Sequence, residues 1–246
     1  MNKNFEHVFI NGCSHSAGSE IAGSAIGDGD DCRNGAFGAK LAKKLNVPWT
    51  NIAMPGASND YIFRTTFFWL NHNIELAKKS LFLIHWTGSA RCEYFHDGGV
   101  DNPFMWHWNP FVPDPNVGHL HPGYHGYVPK HFSKNATKIC NTLFENEFHW
   151  EVNRYLNIIY LQNFLKVHNI PYIFRNAFGS CASGERYGFY EQQVDQTRYV
   201  GMQDTNQSFF EHCLDNGFSI EGQLYMHHKE DAHDYWAEKL FNENFA

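Results

Sequence analysis

Residues 7–18, HVFINGCSHSAG, decide the fold class of this chain. His7–Asn11 has an apolar centre and stops at Gly12, the pattern of a short buried strand. The adjoining residues 12–31, GCSHSAGSEIAGSAIGDGDD, are mostly small and polar, as expected of a turn that leads into a functional loop. Gly12 permits a tight turn after the strand, and Gly18 lets the backbone pass close behind Ser14. A serine so placed can present its hydroxyl to a cleft while its own N–H points the same way. The same residue types also suit a helix cap or a phosphate-binding loop, so the segment alone leaves these readings even.

Outward from this stretch, strands and helices alternate. Residues 36–45 have helical spacing, and 47–53 read as a second strand closed by Pro55 and Gly56. Ser58 and Asn59 are each able to cap a helix over 60–72. Ser80–Trp86 is apolar almost throughout, which fits a central parallel strand covered on both faces. A long amphipathic helix is expected over 147–168, a fourth strand over 170–175, short helices near 187–195 and 207–215, and a last helix over 232–241. This order predicts an α/β fold: a three-layer sandwich with a central parallel sheet, as one domain spanning 1–246. In such sheets chemistry gathers beyond the carboxyl ends of the strands, here Gly12–Gly18, Ala53–Asn59 and Trp86–Arg91. The rhythm breaks at about 93–146, an insertion rich in His, Pro, Gly and aromatic residues and long enough to be a functional excursion or lid.

Composition narrows the function. Hydrophobic residues make up 43% and charged residues 18%, an ordinary globular balance. The formal charge of −7, with no basic cluster, disfavours a nucleic-acid partner. No stretch is long and apolar enough to span a membrane, and the N-terminus lacks a signal-peptide core, so cytoplasmic synthesis is expected. No cysteine pair has CxxC spacing, which argues against zinc ribbons and thioredoxin-like chemistry, and the thiols are expected to be reduced.

Three segments carry candidate chemistry. Ser14 is a candidate nucleophile. His227 and His228 lie just before the last helix and are candidate bases, histidine being the side chain best matched to neutral pH. Gly56, through its N–H, and Asn59, through its amide, are candidate oxyanion donors beside the Ser14 N–H. Each segment also has a purely structural reading: a turn, a cap or a surface histidine.

Their order along the chain resembles the SGNH/GDSL hydrolase superfamily. That superfamily has a Gly-x-Ser-x-x-x-Gly block after the first strand, an Asn…Gly block after the second and a His-bearing block before the last helix. The likeness is closest to divergent SGNH-like sequences of bacteriophage and environmental origin, with a GCSxxxG start, a PGxSND segment and a Trp-Thr-x-x-x-Arg stretch, here Trp86 to Arg91. It covers residues 6–91 and 219–241 and leaves the insertion untouched.

The resemblance implies a flavodoxin-like SGNH hydrolase fold and a serine esterase, with carbohydrate deacetylation as one form of the activity. Ser14 would be the nucleophile, His227 the base with His228 as the alternative, and Gly56 the oxyanion glycine; no cofactor is implied. Thr87 and Arg91 join Gly56 and Asn59 in the substrate-binding set, and Trp106 and Trp108 of the insertion are expected to stack on a sugar or cover an acyl group. Two positions depart from the family. Leu224 stands where an aspartate normally orients the histidine, leaving a backbone carbonyl, Glu221 or Asp231 to do so, and Thr87 and Gly88 stand where an oxyanion asparagine is usual. These departures support a second expectation, a noncatalytic or virion-associated scaffold with a phage partner. A third expectation is a metal held by His119, His121 and His125; it is weaker, since Pro and Gly interrupt the run.

Overall fold

The computed structural model describes residues 5–21, 29–89, 91–96, 104–108, 120–122, 147–221, 223 and 227–246. Four strands form one parallel sheet: β1 (His7–Asn11), β2 (Trp49–Asn51), β3 (Ser80–Trp86) and β7 (Tyr172–Asn176). Their order is β2-β1-β3-β7, with Phe9 opposite Thr50 on one side and Phe82 on the other. This is the strand order of a flavodoxin-like fold, in which the connections reverse direction at β1 and open a crevice between the ends of β1 and β3. The expected α/β architecture is the one observed.

The strands are apolar on both faces because both faces are covered. Alternate side chains point to opposite sides. Phe9, Phe82, Ile84, Trp86 and Phe174 pack on one side with helices α4 (Asn59–His72) and α6 (Glu147–Val167), which supply Tyr61, Ile62, Leu70, Tyr155, Ile158 and Leu165. Val8, Ile10, Leu81, Leu83 and Ile173 face the other layer, α3 (Phe37–Leu45), α8 (Phe209–Asp215) and α9 (Glu230–Phe245), through Phe37, Leu41, Phe209, Trp236 and Leu240. Shorter helices complete the chain: α1 (Ser14–Ala17), α2 (Asp30–Gly35), α5 (Ile74–Ala77) and α7 (Gly188–Glu191).

Three strands lie within the insertion: β4 (Cys92–His96), β5 (Phe104–Trp108) and β6 (Leu120–Pro122). They form an antiparallel sheet in the order β4-β5-β6. Sequence periodicity did not reveal them, because their residues do not alternate regularly between apolar and polar. Trp106 and Trp108 lie on β5, but their expected stacking on a ligand falls outside the described side chains.

Two buried histidines brace the second helical layer. The Phe37 N–H at the start of α3 donates to His233 Nδ1 at 3.2 Å, so His233 caps that helix as a neutral imidazole. Burial drives its pKa down to about 3. His85, in the middle of the sheet, stacks on Phe37 at 4.4 Å, and burial followed by the charge of Arg175 drives its pKa well below the usual value. Above the ordinary value of 6.5 both folded and unfolded chains hold these rings neutral; below it only the unfolded chain takes up the protons. Stability should therefore fall as the pH drops from 6.5 toward about 3, by up to about 1.4 kcal/mol per pH unit for His233, with His85 acting in the same direction. Urea-unfolding midpoints across this range should drop more steeply for the native protein than for His233→Gln, whose amide oxygen still accepts the Phe37 bond but does not titrate.

Candidate active site

The site is assembled from four loops at the carboxyl ends of the strands. β1 ends at Asn11, whose buried amide donates to Ile62 O (3.1 Å), Thr65 Oγ1 (2.9 Å) and Thr66 Oγ1 (2.9 Å) and accepts from the Gly12 N–H (2.8 Å). The strand end is thereby fixed to α4. Cys13 then caps the single-turn α1, with Ser14 as its first residue, so the Ser14 N–H has no intrahelical acceptor. The turn ends at Gly18, which has φ +74 and returns its N–H to Ser14 O; a Cβ there would lie 2.3 Å from the Cys32 carbonyl oxygen. Ser14 is 6% exposed, and its hydroxyl makes no hydrogen bond among the described residues while keeping a solvent-facing edge.

The C-terminal segment reaches this turn and treats its two adjacent histidines differently. His227 remains partly exposed; its ring lies 5.0 Å from that of His15, edge to face. Its Nδ1 is 2.7 Å from Glu20 Oε2, and its main-chain N–H donates to the same oxygen at 3.2 Å. His228 is fully buried between Phe209 and Phe210, with Nε2 donating to Phe210 O at 2.9 Å. His228 is thus packing, which corrects the expectation that either imidazole is available as a base. The orienting acids expected for His227 need the same correction. Asp231 Oδ1 accepts from the Ala232 N–H at the start of α9, and Glu221 is exposed, whereas the carboxylate on the ring is Glu20.

The histidines here are held neutral. His15 is buried against Phe178, Phe209 and Phe210, and burial, reinforced by the charges of His227, His228 and Arg91, drives its pKa well down. For His227, burial lowers the pKa most; Glu20 opposes that shift, while Arg91 and His228 add to it.

The second loop is a Pro-Gly turn. The Ala57 N–H bonds Met54 O at 3.1 Å, and Gly56 takes φ +78, a conformation that favours glycine at the third position of such a turn. No atom lies within 4 Å of where a Gly56 Cβ would stand, so its surroundings are open. Ser58 caps α4 by accepting from the Tyr61 N–H. Asn59, expected to aim its amide at an oxyanion, instead clasps the third loop. It accepts from the Thr87 N–H (2.9 Å) and donates to Thr87 O (3.1 Å) and Gly88 O (3.4 Å). Its donors are committed to backbone. Thr87 is fully buried, and its hydroxyl has no partner among the described residues. Arg91 lies over the Phe178 ring at 4.8 Å and donates to Ala57 O at 3.4 Å, with the Cys13 thiol beside it. No carboxylate pairs with it among the described residues.

No three His, Cys, Asp or Glu side chains are grouped to hold a metal ion among the described residues. The metal expectation rests on His119, His121 and His125; His119 and His125 lie outside the described residues, and the His121 side chain lies outside the described side chains. Cys13, Cys32, Cys181 and Cys213 are buried, and no helix among the described residues is long and apolar enough to cross a membrane.

A family model, "Family of unknown function (DUF6071)", matches residues 27–244. The chain belongs to this family. In this DUF6071 member the match takes in the Gly56, Thr87 and His227 loops, while Ser14 and Glu20 precede it. No curated protein matches. Three of the solved structures to which the chain is similar are as follows. One is a carbohydrate esterase whose active site displays divergent catalytic and non-catalytic binding functions (11% identity, TM-score 0.49, covering 97% of this chain and 67% of that one). Another is the psychrotrophic esterase EstA from Pseudoalteromonas sp., inhibited by monoethylphosphonate (12%, TM-score 0.46, 96% and 95%). A third is the acetyl xylan esterase AlAXEase (11%, TM-score 0.44, 97% and 100%).

The Asn59 clasp yields a direct test. Asn59→Ala leaves the buried Thr87 N–H without its acceptor, which should cost about 1–3 kcal/mol. The denaturant midpoint should fall accordingly; an unchanged midpoint would mean that the β3 loop does not depend on this amide.

Proposed function

We propose that this DUF6071 member is a serine-dependent carboxylic ester hydrolase with Ser14 as nucleophile and His227 as general base. The observation that carries the proposal is the convergence of the two ends of the chain. The ring of His15, the residue after Ser14, lies 5.0 Å from the ring of His227, across more than two hundred residues of sequence. With Nδ1 engaged by Glu20, Nε2 is the His227 nitrogen left to serve a hydroxyl. Its lowered pKa keeps the imidazole in the basic form at neutral pH.

In the proposed reaction Ser14 Oγ attacks the acyl carbon as its proton passes to His227 Nε2, and the carbonyl electron pair moves onto oxygen. The N–H groups of Ser14 and Gly56 are the oxyanion donors. Collapse of the tetrahedral species breaks the bond to the leaving alcohol, which takes the proton from His227. Water then repeats the cycle on the acyl-serine, giving the acid and restoring Ser14. An acyl ester on a carbohydrate or another small molecule is the proposed substrate class, with the aromatic insertion as the recognition element. A second reading, a noncatalytic binding or virion-associated scaffold, draws on Leu224 at the place of the family's aspartate and on Thr87 and Gly88 at that of its asparagine.

A fluorophosphonate probe separates the two. Ser14 should be labelled in the native protein, and the label should be lost in Ser14→Ala and strongly slowed in His227→Gln. A folded native protein that takes no label at Ser14 would sink the hydrolase reading in favour of the scaffold.

A further inference from the structure

The hydrolase reading leaves the histidine's orienter unexplained, because Leu224 occupies the position usual for it in the SGNH/GDSL superfamily. Resting on that reading, we infer that Glu20, six residues after Ser14 on the nucleophile's own loop, is the positioning carboxylate of His227.

Three observations converge on it. A single carboxylate oxygen, Oε2, receives both the ring Nδ1 (2.7 Å) and the main-chain N–H (3.2 Å) of His227, which fixes the ring's location and its rotation. Since a carboxylate only accepts, Nδ1 carries the proton and Nε2 presents its lone pair, the tautomer that a base for Ser14 requires. Glu20 is 5% exposed yet has φ +68, a left-handed backbone that a glutamate seldom adopts. Two left-handed residues in three, Gly18 and Glu20, fold the loop back after α1 and turn a buried acid toward the C-terminal segment.

Nucleophile and acid thus share one short loop, and only the base comes from the far end of the chain. In the usual arrangement of the SGNH/GDSL superfamily the acid travels with the histidine. When Ser14 gives up its proton, the positive charge on His227 forms against a carboxylate already in place. That charge has to be held against one guanidinium and three imidazoles. Arg91 faces the ring from the loop after β3, His15 from α1, His233 from α9, and His228 adjoins it. Glu20 is the group that opposes them.

The test combines ring titration with kinetics on the full-length protein. Nitrogen-15 NMR of the His227 imidazole, assigned with His227→Gln, should show the Nδ1-protonated neutral tautomer. In Glu20→Gln the opposing carboxylate is gone, so the His227 pKa should fall further. The acid limb of p-nitrophenyl acetate hydrolysis should move to lower pH with it. Turnover should drop by about 10³- to 10⁴-fold with KM little changed, as when a triad carboxylate is neutralised. Glu20→Asp, which keeps the charge, should recover part of the turnover and of the pKa; it also serves if the Gln variant does not fold. A protein labelled at Ser14 whose His227 titration and turnover ignore Glu20→Gln would overturn this assignment alone. A protein not labelled at Ser14 at all would overturn the hydrolase reading and, with it, the catalytic role of Glu20.

Discussion

The arrangement at the head of the sheet depends on one buried contact, the carboxylate of Glu20 on the imidazole of His227. It closes the loop after β1 onto the segment before α9, two stretches 207 residues apart in the chain. A buried carboxylate is costly to desolvate and has to be repaid by hydrogen bonds of good geometry. Glu20 receives two from a single residue. The contact is also directional: a main-chain N–H and a ring N–H on the same oxygen leave the imidazole little freedom to swing.

Around this contact several imidazoles are gathered. His15, His228 and His233 lie within the same aromatic packing, and desolvation is the largest influence on each, keeping the rings neutral. Arg91 adds a cation resting on Phe178. Such surroundings work against protonation of the rings.

Polar clasps do the remaining positioning. Asn11 ties the end of β1 to the first turns of α4, and Asn59 ties the start of α4 to the end of β3. Both amides use donors and acceptor together, so each fixes two pieces of backbone at once. Helix α4 thereby sets the spacing of the three loops at the ends of β1, β2 and β3.

Much of this was legible in the sequence. The apolar centre of β1, the unbroken apolar run of β3 and the helical spacing of α3, α4 and α6 prescribe a covered parallel sheet, because side-chain period and burial are local properties. Gly12, Gly18 and the Pro55-Gly56 pair mark the turns through backbone requirements that only certain residues meet. The roles of polar side chains were not legible, because a role depends on direction and on distant partners. Asn59 reads equally well as an oxyanion donor or a clasp until its neighbour across the crevice is known. His227 and His228 are chemically identical until one meets Glu20 and the other enters the Phe209 and Phe210 packing. Glu20 had no signature at all: it is one of four acids in a stretch of mostly small residues, and its left-handed backbone and its imidazole partner exist only once the chain has folded. Residue order thus determined the layers and the turns, through local propensity and periodicity. The pairing of Glu20 with His227 was decided by tertiary structure, since only the closed fold brings opposite ends of the chain to a separation of 2.7 Å.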